Sequence, residues 1–154
     1  MAVLIENRQG KIKIPLKRMK TKAQAVLNAL ACPESELSVL IVDDAQIAAL
    51  NQQYLNRSGP TNVIAFPMRE GEFAEVSPTL LGDVVISAET ARREGEVAGV
   101  GWQTRFLQLL VHGILHLLGY DHEKTKQESL RMEKKSVELF NLITDRGNQW
   151  PSPN

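Results

Sequence analysis

The 154-residue chain reads as one α+β domain, with a small mixed sheet of about four strands packed with about five helices. Three observations predict this. Short β-branched apolar runs fall in the first 90 residues, apolar residues recur at helical spacing between and after them, and no linker, repeat or low-complexity tract divides positions 1–154. A hydrophobic content of 43% in a chain of this length supplies one sizeable core.

Taken in order, AVLIEN (2–7) is a first strand. PLKRMKTKAQAVLNALA then spaces Leu16, Met19, Ala23, Val26, Leu27 and Leu30 as one helix face, with Pro15 in the first turn, where its missing N–H costs nothing. ELSVLIVD is a second strand, and Asp43-Asp44 at its end can cap the helix AQIAALNQQYLN. NRSGPTN is a loop, NVIAFP a third strand, MREGEFAEVSPT an acidic connection and LLGDVVIS a fourth strand. A charged helix around ETARREGEV follows, then a helix starting near Trp102, then a last amphipathic helix over about 124–142. The tail from about 147 to 154 should fray. The predicted order is βαβαββααα.

Composition excludes several classes. The most apolar stretch, FLQLLVHGILHLL, is too short and too polar to span a bilayer, and MAVLIENRQGK lacks the long apolar region of a secretory signal. The expected address is the cytoplasm. The single cysteine, Cys32, ends an apolar helical pattern and is expected to be buried. Net charge is zero, yet residues 1–31 carry seven basic groups against Glu6 alone, and the remainder has eleven basic and seventeen acidic groups. Such a run is either a solvated helix face or a patch that attracts phosphate.

All three histidines, His112, His116 and His122, fall within VHGILHLLGYDHE (111–123). Residues four apart on a helix project side by side, so His112 and His116 should point the same way. Gly119 can stop the helix in a left-handed turn and swing His122 back to the same point. Three neutral imidazoles on one ion, with a fourth position open, is the arrangement zinc adopts in catalytic sites. Zinc is the default metal, although nickel, copper or iron would also bind imidazoles. On a helical projection Arg105 and Gln108 extend the histidine stripe, opposite a wide apolar face, and are candidates for substrate contact.

The spacing H-x3-H-x2-G-x2-H is that of the metzincin proteases, which keep a general-base Glu directly after the first His. Here that position is Gly113, so a peptidase of that kind is not expected. Phosphodiester hydrolysis needs chiefly in-line positioning and neutralisation of charge, which metal and arginine supply. Glycine at 113 is also expected to leave space beside the metal for a bulky substrate.

HGILHLLGYDH resembles the signature of the YbeY-type endoribonucleases, the bacterial rRNA maturation factors, and PTNVIAFP (60–67) and LGDVVIS (81–87) are similar to that family's other hallmark segments. The resemblance covers roughly residues 36–142. It implies a zincin-like fold, one Zn2+ held by His112, His116 and His122, and cleavage of single-stranded RNA in 16S rRNA 3′-end maturation and ribosome quality control. Single-stranded rRNA and ribosomal particles would be the partners, with no membrane involved. The family's arginine after the tyrosine of NQQYLNRSGP is Leu55 here, and Arg57, two residues on, is expected to take its role of holding the scissile phosphate.

Among other residues, Asp83 within an apolar strand is either a structural acceptor or a group orienting a histidine. Asp121 either caps the turn or tunes the metal. Thr61 and Asn62 read as turn chemistry, Tyr54 as core, and Met132 and Glu133 as structural. Lacking a carboxylate at 113, the enzyme should be slow or need a partner to present its RNA. The rival readings are a zincin-type metallopeptidase and a non-catalytic assembly factor whose metal staples the last helices.

Overall fold

The computed structural model describes residues 3–68, 80–120 and 125–144. His122, Asp121, residues 69–79 of the acidic connection and the tail expected to fray lie outside the described residues. The elements follow the predicted order: β1 (Val3–Asn7), α1 (Leu16–Ala29), β2 (Glu36–Val42), α2 (Asp44–Leu55), β3 (Val63–Pro67), β4 (Leu80–Ser87), α3 (Ala88–Ala98), α4 (Gly101–Leu117) and α5 (Lys126–Ile143).

The sheet runs β1-β2-β4-β3. β1, β2 and β4 are mutually parallel, and β3 pairs antiparallel with β4 at one edge, Val63 opposite Ile86 and Pro67 opposite Gly82. An edge is where Pro67 can sit, because its missing N–H then breaks no ladder bond. The period of two sorts side chains between the faces. Val39, Ile41, Val84 and Ile86 join the main core with α1, α4 and α5, whereas Val42, Ile64 and Val85 pack with Ile47 of α2 in a smaller cluster.

Caps set the helix boundaries. The Asp43 side chain accepts from the Gln46 N–H at 2.9 Å, Ser87 from the Thr90 N–H at 3.2 Å and Thr125 from the Glu128 N–H at 3.0 Å. Each satisfies an orphan donor of a first turn. α1 lacks such a cap and begins on Pro15, whose carbonyl accepts the Met19 N–H at 3.0 Å. Lys13, Lys17 and Arg18 are exposed at its start, and Lys22 reaches the Ile143 carbonyl at the end of α5.

Two expectations need correction, and one open alternative is decided. Tyr54 is 60% exposed and meets Phe66 edge-on, with ring centroids 5.5 Å apart, because α2 turns that face to solvent at its last turn. Cys32 is half-buried at the edge of the main core, since the chain leaves the sheet-facing side of α1 just before it. Asp83 is half-buried in register with Ser38 and Phe66. Its neighbour Val84 faces α4, so Asp83 projects to the opposite side of the sheet and cannot orient a histidine on α4. Its role is structural.

Candidate metal centre and cleft

Helix α4 is buried almost all round. From Phe106 to Leu117, His112 and His116 alone are not fully buried. The sequence makes it so, because an apolar face wider than half the helix must be covered by the sheet on one side and by α3 and α5 on the others. The polar line that remains brings His112 and His116 together, Nε2 to Nε2 3.0 Å apart, with ring centroids at 4.5 Å and planes at 70°. Two donors at about 2.0–2.1 Å from one ion in a tetrahedral arrangement lie about 3.3 Å apart, so the pair could hold a metal after a shift of a few tenths of an ångström.

The end of α4 also follows the sequence. Gly119 has φ 95°, the Gly119 N–H bonds the His116 carbonyl at 3.0 Å and the Tyr120 N–H bonds the Leu115 carbonyl at 3.1 Å, which is a Schellman turn. Arg131 of α5 lies over the Tyr120 ring at 4.5 Å. The chain is thus pinned to α5 on one side of residues 121–124 and capped at Thr125 on the other. Among the described residues no three metal-binding side chains converge, and the expected third ligand, His122, lies outside them.

Gly113 has a reason other than the one its neighbourhood suggests. A Cβ there would meet Val84 Cγ1 at 2.6 Å, Val84 Cγ2 at 3.1 Å and Val63 Cγ2 at 3.3 Å. The position faces the sheet, not the substrate, and glycine is what lets α4 lie against β3 and β4. The expected open space beside a metal is absent at 113, and a glutamate there would be driven into the core.

His112 opens onto a cleft of about 320 Å³ between α4, α5 and the start of β3. Gln108 and Arg105 line it one and two turns before His112, as their shared stripe predicts. They are linked, Arg105 Nη1 donating to Gln108 Oε1 at 2.9 Å, while Arg105 Nε donates to Glu94 Oε1 of α3 at 2.9 Å. Asn62, just before β3, donates to the two Glu94 oxygens at 3.2 and 3.3 Å, so one carboxylate of α3 ties α4 to the start of β3. Gln108 is 4% exposed, and its amide nitrogen has no partner among the described residues.

The opposite wall is α5, which contributes Ser129, Met132, Glu133 and Ser136. Met132 and Glu133, expected to be purely structural, both border the cleft, as does Asn62, read earlier as turn chemistry. Their spacing of three and four along α5 is a legible stripe, but only the packing of α5 on α4 reveals what it faces. Arg57 is not brought to this wall. It is exposed in the loop after α2, its N–H on the Asn51 carbonyl at 3.2 Å, and that loop is closed by Asn51 Nδ2 donating to the Gly59 carbonyl at 2.9 Å.

The family model for Endoribonuclease YbeY matches residues 4–144. The chain belongs to the YbeY endoribonuclease family. It is 49% identical over 142 residues to the endoribonuclease YbeY of Syntrophotalea carbinolica, covering 92% of this chain and 95% of that one. To the YbeY of Geobacter metallireducens it is 48% identical over 148 residues, covering 96% and 99%, and to that of Aquifex aeolicus 40% over 148 residues, covering 92% and 94%. The solution structure of TM1509 from Thermotoga maritima superposes with a TM-score of 0.64 at 22% identity, over 92% of this chain and 88% of that one, and shares the fold. A YbeY chain is an endoribonuclease, a hydrolytic nuclease, so a metallopeptidase is the wrong class. No helix among the described residues is long and apolar enough to cross a membrane.

Proposed function

We propose that this YbeY-family chain is a zinc-dependent endoribonuclease specific for single-stranded RNA. In this reading it works in the cytoplasm on ribosomal particles, in 3′-end maturation of 16S rRNA and in ribosome quality control. The observation that carries the proposal is the 3.0 Å approach of His116 to His112, which lines a cleft, in a member of an endoribonuclease family. His122 is the proposed third ligand of a single Zn2+. When bound, zinc would supply Lewis acidity to an oxygen of the scissile phosphate.

The chain's own groups do the rest. Arg105 spends two of its five N–H donors on Glu94 and Gln108, which fix the guanidinium in place and leave the others for a phosphate oxygen. Gln108 supports that orientation from beneath. Arg57 contacts the RNA backbone from its loop, and Lys13, Lys17 and Arg18 attract flanking phosphates. A cleft of about 320 Å³ is of the size of one nucleotide unit, which supports a substrate whose nucleotides are free of pairing.

The test is to measure metal in the purified protein and then to compare cleavage of single-stranded and duplex RNA by wild type and His112→Ala. About one zinc per chain, preference for the single strand and a loss of more than about 10²-fold in His112→Ala are expected. Chelation should abolish cleavage with a modest change in melting temperature. A large melting loss with no cleavage by the loaded protein would instead make the metal a structural staple.

A further inference from the structure

Resting on the nuclease reading, we infer that Glu133 of α5 is the proton acceptor for the attacking water, supplying from across the cleft the carboxylate that α4 cannot carry at position 113. Two independent observations lead there. The first is negative: the Cβ direction at Gly113 points into Val84 at 2.6 Å, so no side chain on the turn after His112 can reach the reacting phosphate from that position. The second is positive: among the described residues lining the cleft, Glu133 bears the one carboxylate.

Glu133 also differs from the carboxylates around it. Glu94 of α3 is engaged by Arg105 and Asn62, and Glu138, further along α5, pairs with Lys135 at 3.1 Å. Glu133 makes no ion pair or hydrogen bond with any described residue. Across the cleft it faces the guanidinium of Arg105 and the imidazole of His112 on α4, with the uncharged Asn62 and Val63 at the start of β3. An exposed carboxylate facing a guanidinium and an imidazole, with room between for a phosphodiester and a water, meets the geometric requirement of a general base. Ser129 and Ser136, one turn to either side, can hydrogen-bond the same water or a ribose hydroxyl.

In the step itself, the water oxygen forms a bond to phosphorus as one of its protons passes to the Glu133 carboxylate. The opposite P–O bond to ribose breaks, and the leaving oxygen takes a proton from solvent. One product ends in a phosphate and the other in a hydroxyl, and Glu133 returns its proton to water. No oxidant or co-reactant is needed.

The experiment compares wild type, Glu133→Gln and Glu133→Ala, with Glu138→Gln as a control on the same helix. It follows cleavage of single-stranded RNA, affinity for that RNA under chelation, and melting temperature. Glu133→Gln should lose about 10²–10⁴-fold in kcat. It should bind RNA as tightly as wild type or more so, because a negative charge beside the phosphate is gone. Added formate should restore part of the Glu133→Ala rate, a response that a packing role would not give. Glu138→Gln should cleave like wild type. Undiminished cleavage by Glu133→Gln, or parallel loss of RNA affinity and melting temperature without rescue by formate, overturns the assignment and leaves the nuclease reading standing. A wild-type protein that cleaves no RNA overturns both.

Discussion

Two polar clusters in this molecule are built to opposite rules. At the carboxyl end of the sheet, Asp44 uses both its oxygens: Ser87 and Thr90 hydroxyls donate to one at 2.6 Å each, and Arg93 donates to the other at 2.7 Å. Its N–H is held by Glu89 at 2.8 Å, and Glu89 in turn takes Lys11 at 2.9 Å. Every group there has a partner, and the result ties the starts of α2 and α3 to each other. In the cleft the accounting stays open: among the described residues the buried Gln108 amide nitrogen has no partner, and neither has Glu133 at the rim. A closed network rigidifies a fold, whereas an open one costs stability and leaves donors and acceptors for a ligand.

The largest effect should come from the contact of α4 with the sheet beside the cleft. Gly113→Glu places a carboxylate against Val84 and Val63 with no partner, and should cost about 3 kcal/mol or more of stability without any gain of peptidase activity. Urea unfolding checks this, with Gly113→Ala as the milder version, costing about 1–2 kcal/mol. Repeating Gly113→Ala in a Val84→Ala background should recover much of that loss. If it does not, the close approach at 2.6 Å is not the reason for glycine.

Asp44→Ala comes next. It leaves Ser87, Thr90 and Arg93 without their shared acceptor, and should cost about 2–3 kcal/mol at neutral pH with little effect on RNA cleavage. The cluster also predicts acid sensitivity. Burial tends to raise the Asp44 carboxyl, but hydrogen bonds from Ser87, Thr90 and Arg93 and the Arg93 charge together hold it below the usual range. The Asp44 N–H and then Lys11 do the same for Glu89. A carboxylate lowered on folding contributes stability that is fully present above its unfolded value, about 3.9–4.3, and is lost as pH falls through the lower folded value. The stability gap between wild type and Asp44→Ala should therefore narrow below about pH 4. A gap that is constant from pH 7 to pH 3 would remove the electrostatic part of this account.

How much of this could be read in advance differs between the same two regions. The fold was legible because hydrophobic period is local: nine elements in order, the left-handed turn at Gly119 and the cap at Asp43 all follow from a few adjacent residues. The histidine pair was legible for the same reason, being one turn of one helix. The remainder of the cleft was not, because Glu94, Asn62 and Glu133 come from three elements whose meeting is decided by packing. Gly113 misled for a related reason. A missing side chain looks like room for substrate until the strand that fills the space is known, and Val84 lies 29 positions earlier in the chain. Asp83 shows the converse, since its neighbour's contact with Gly113 settles by alternation which face it cannot reach.

The smallest expected effect tests where the cleft ends. Arg57 was expected at the scissile phosphate, yet it sits exposed on a loop tied down by Asn51, and the described residues lining the cleft do not include it. An arginine so placed can still meet the strand a nucleotide or more from the reacting bond, where a flexible, solvated guanidinium contributes one phosphate contact. Arg57→Ala should then raise KM for single-stranded RNA by about threefold to tenfold, leave kcat nearly unchanged, and lower the salt dependence of binding by about one phosphate contact. A large loss in kcat would put Arg57 back beside the phosphate and require the loop to close over the cleft when RNA binds. Cleavage and salt dependence both equal to wild type would remove it from the RNA path altogether. In that case Arg105, held in place by Glu94, would be the arginine left to meet the phosphate.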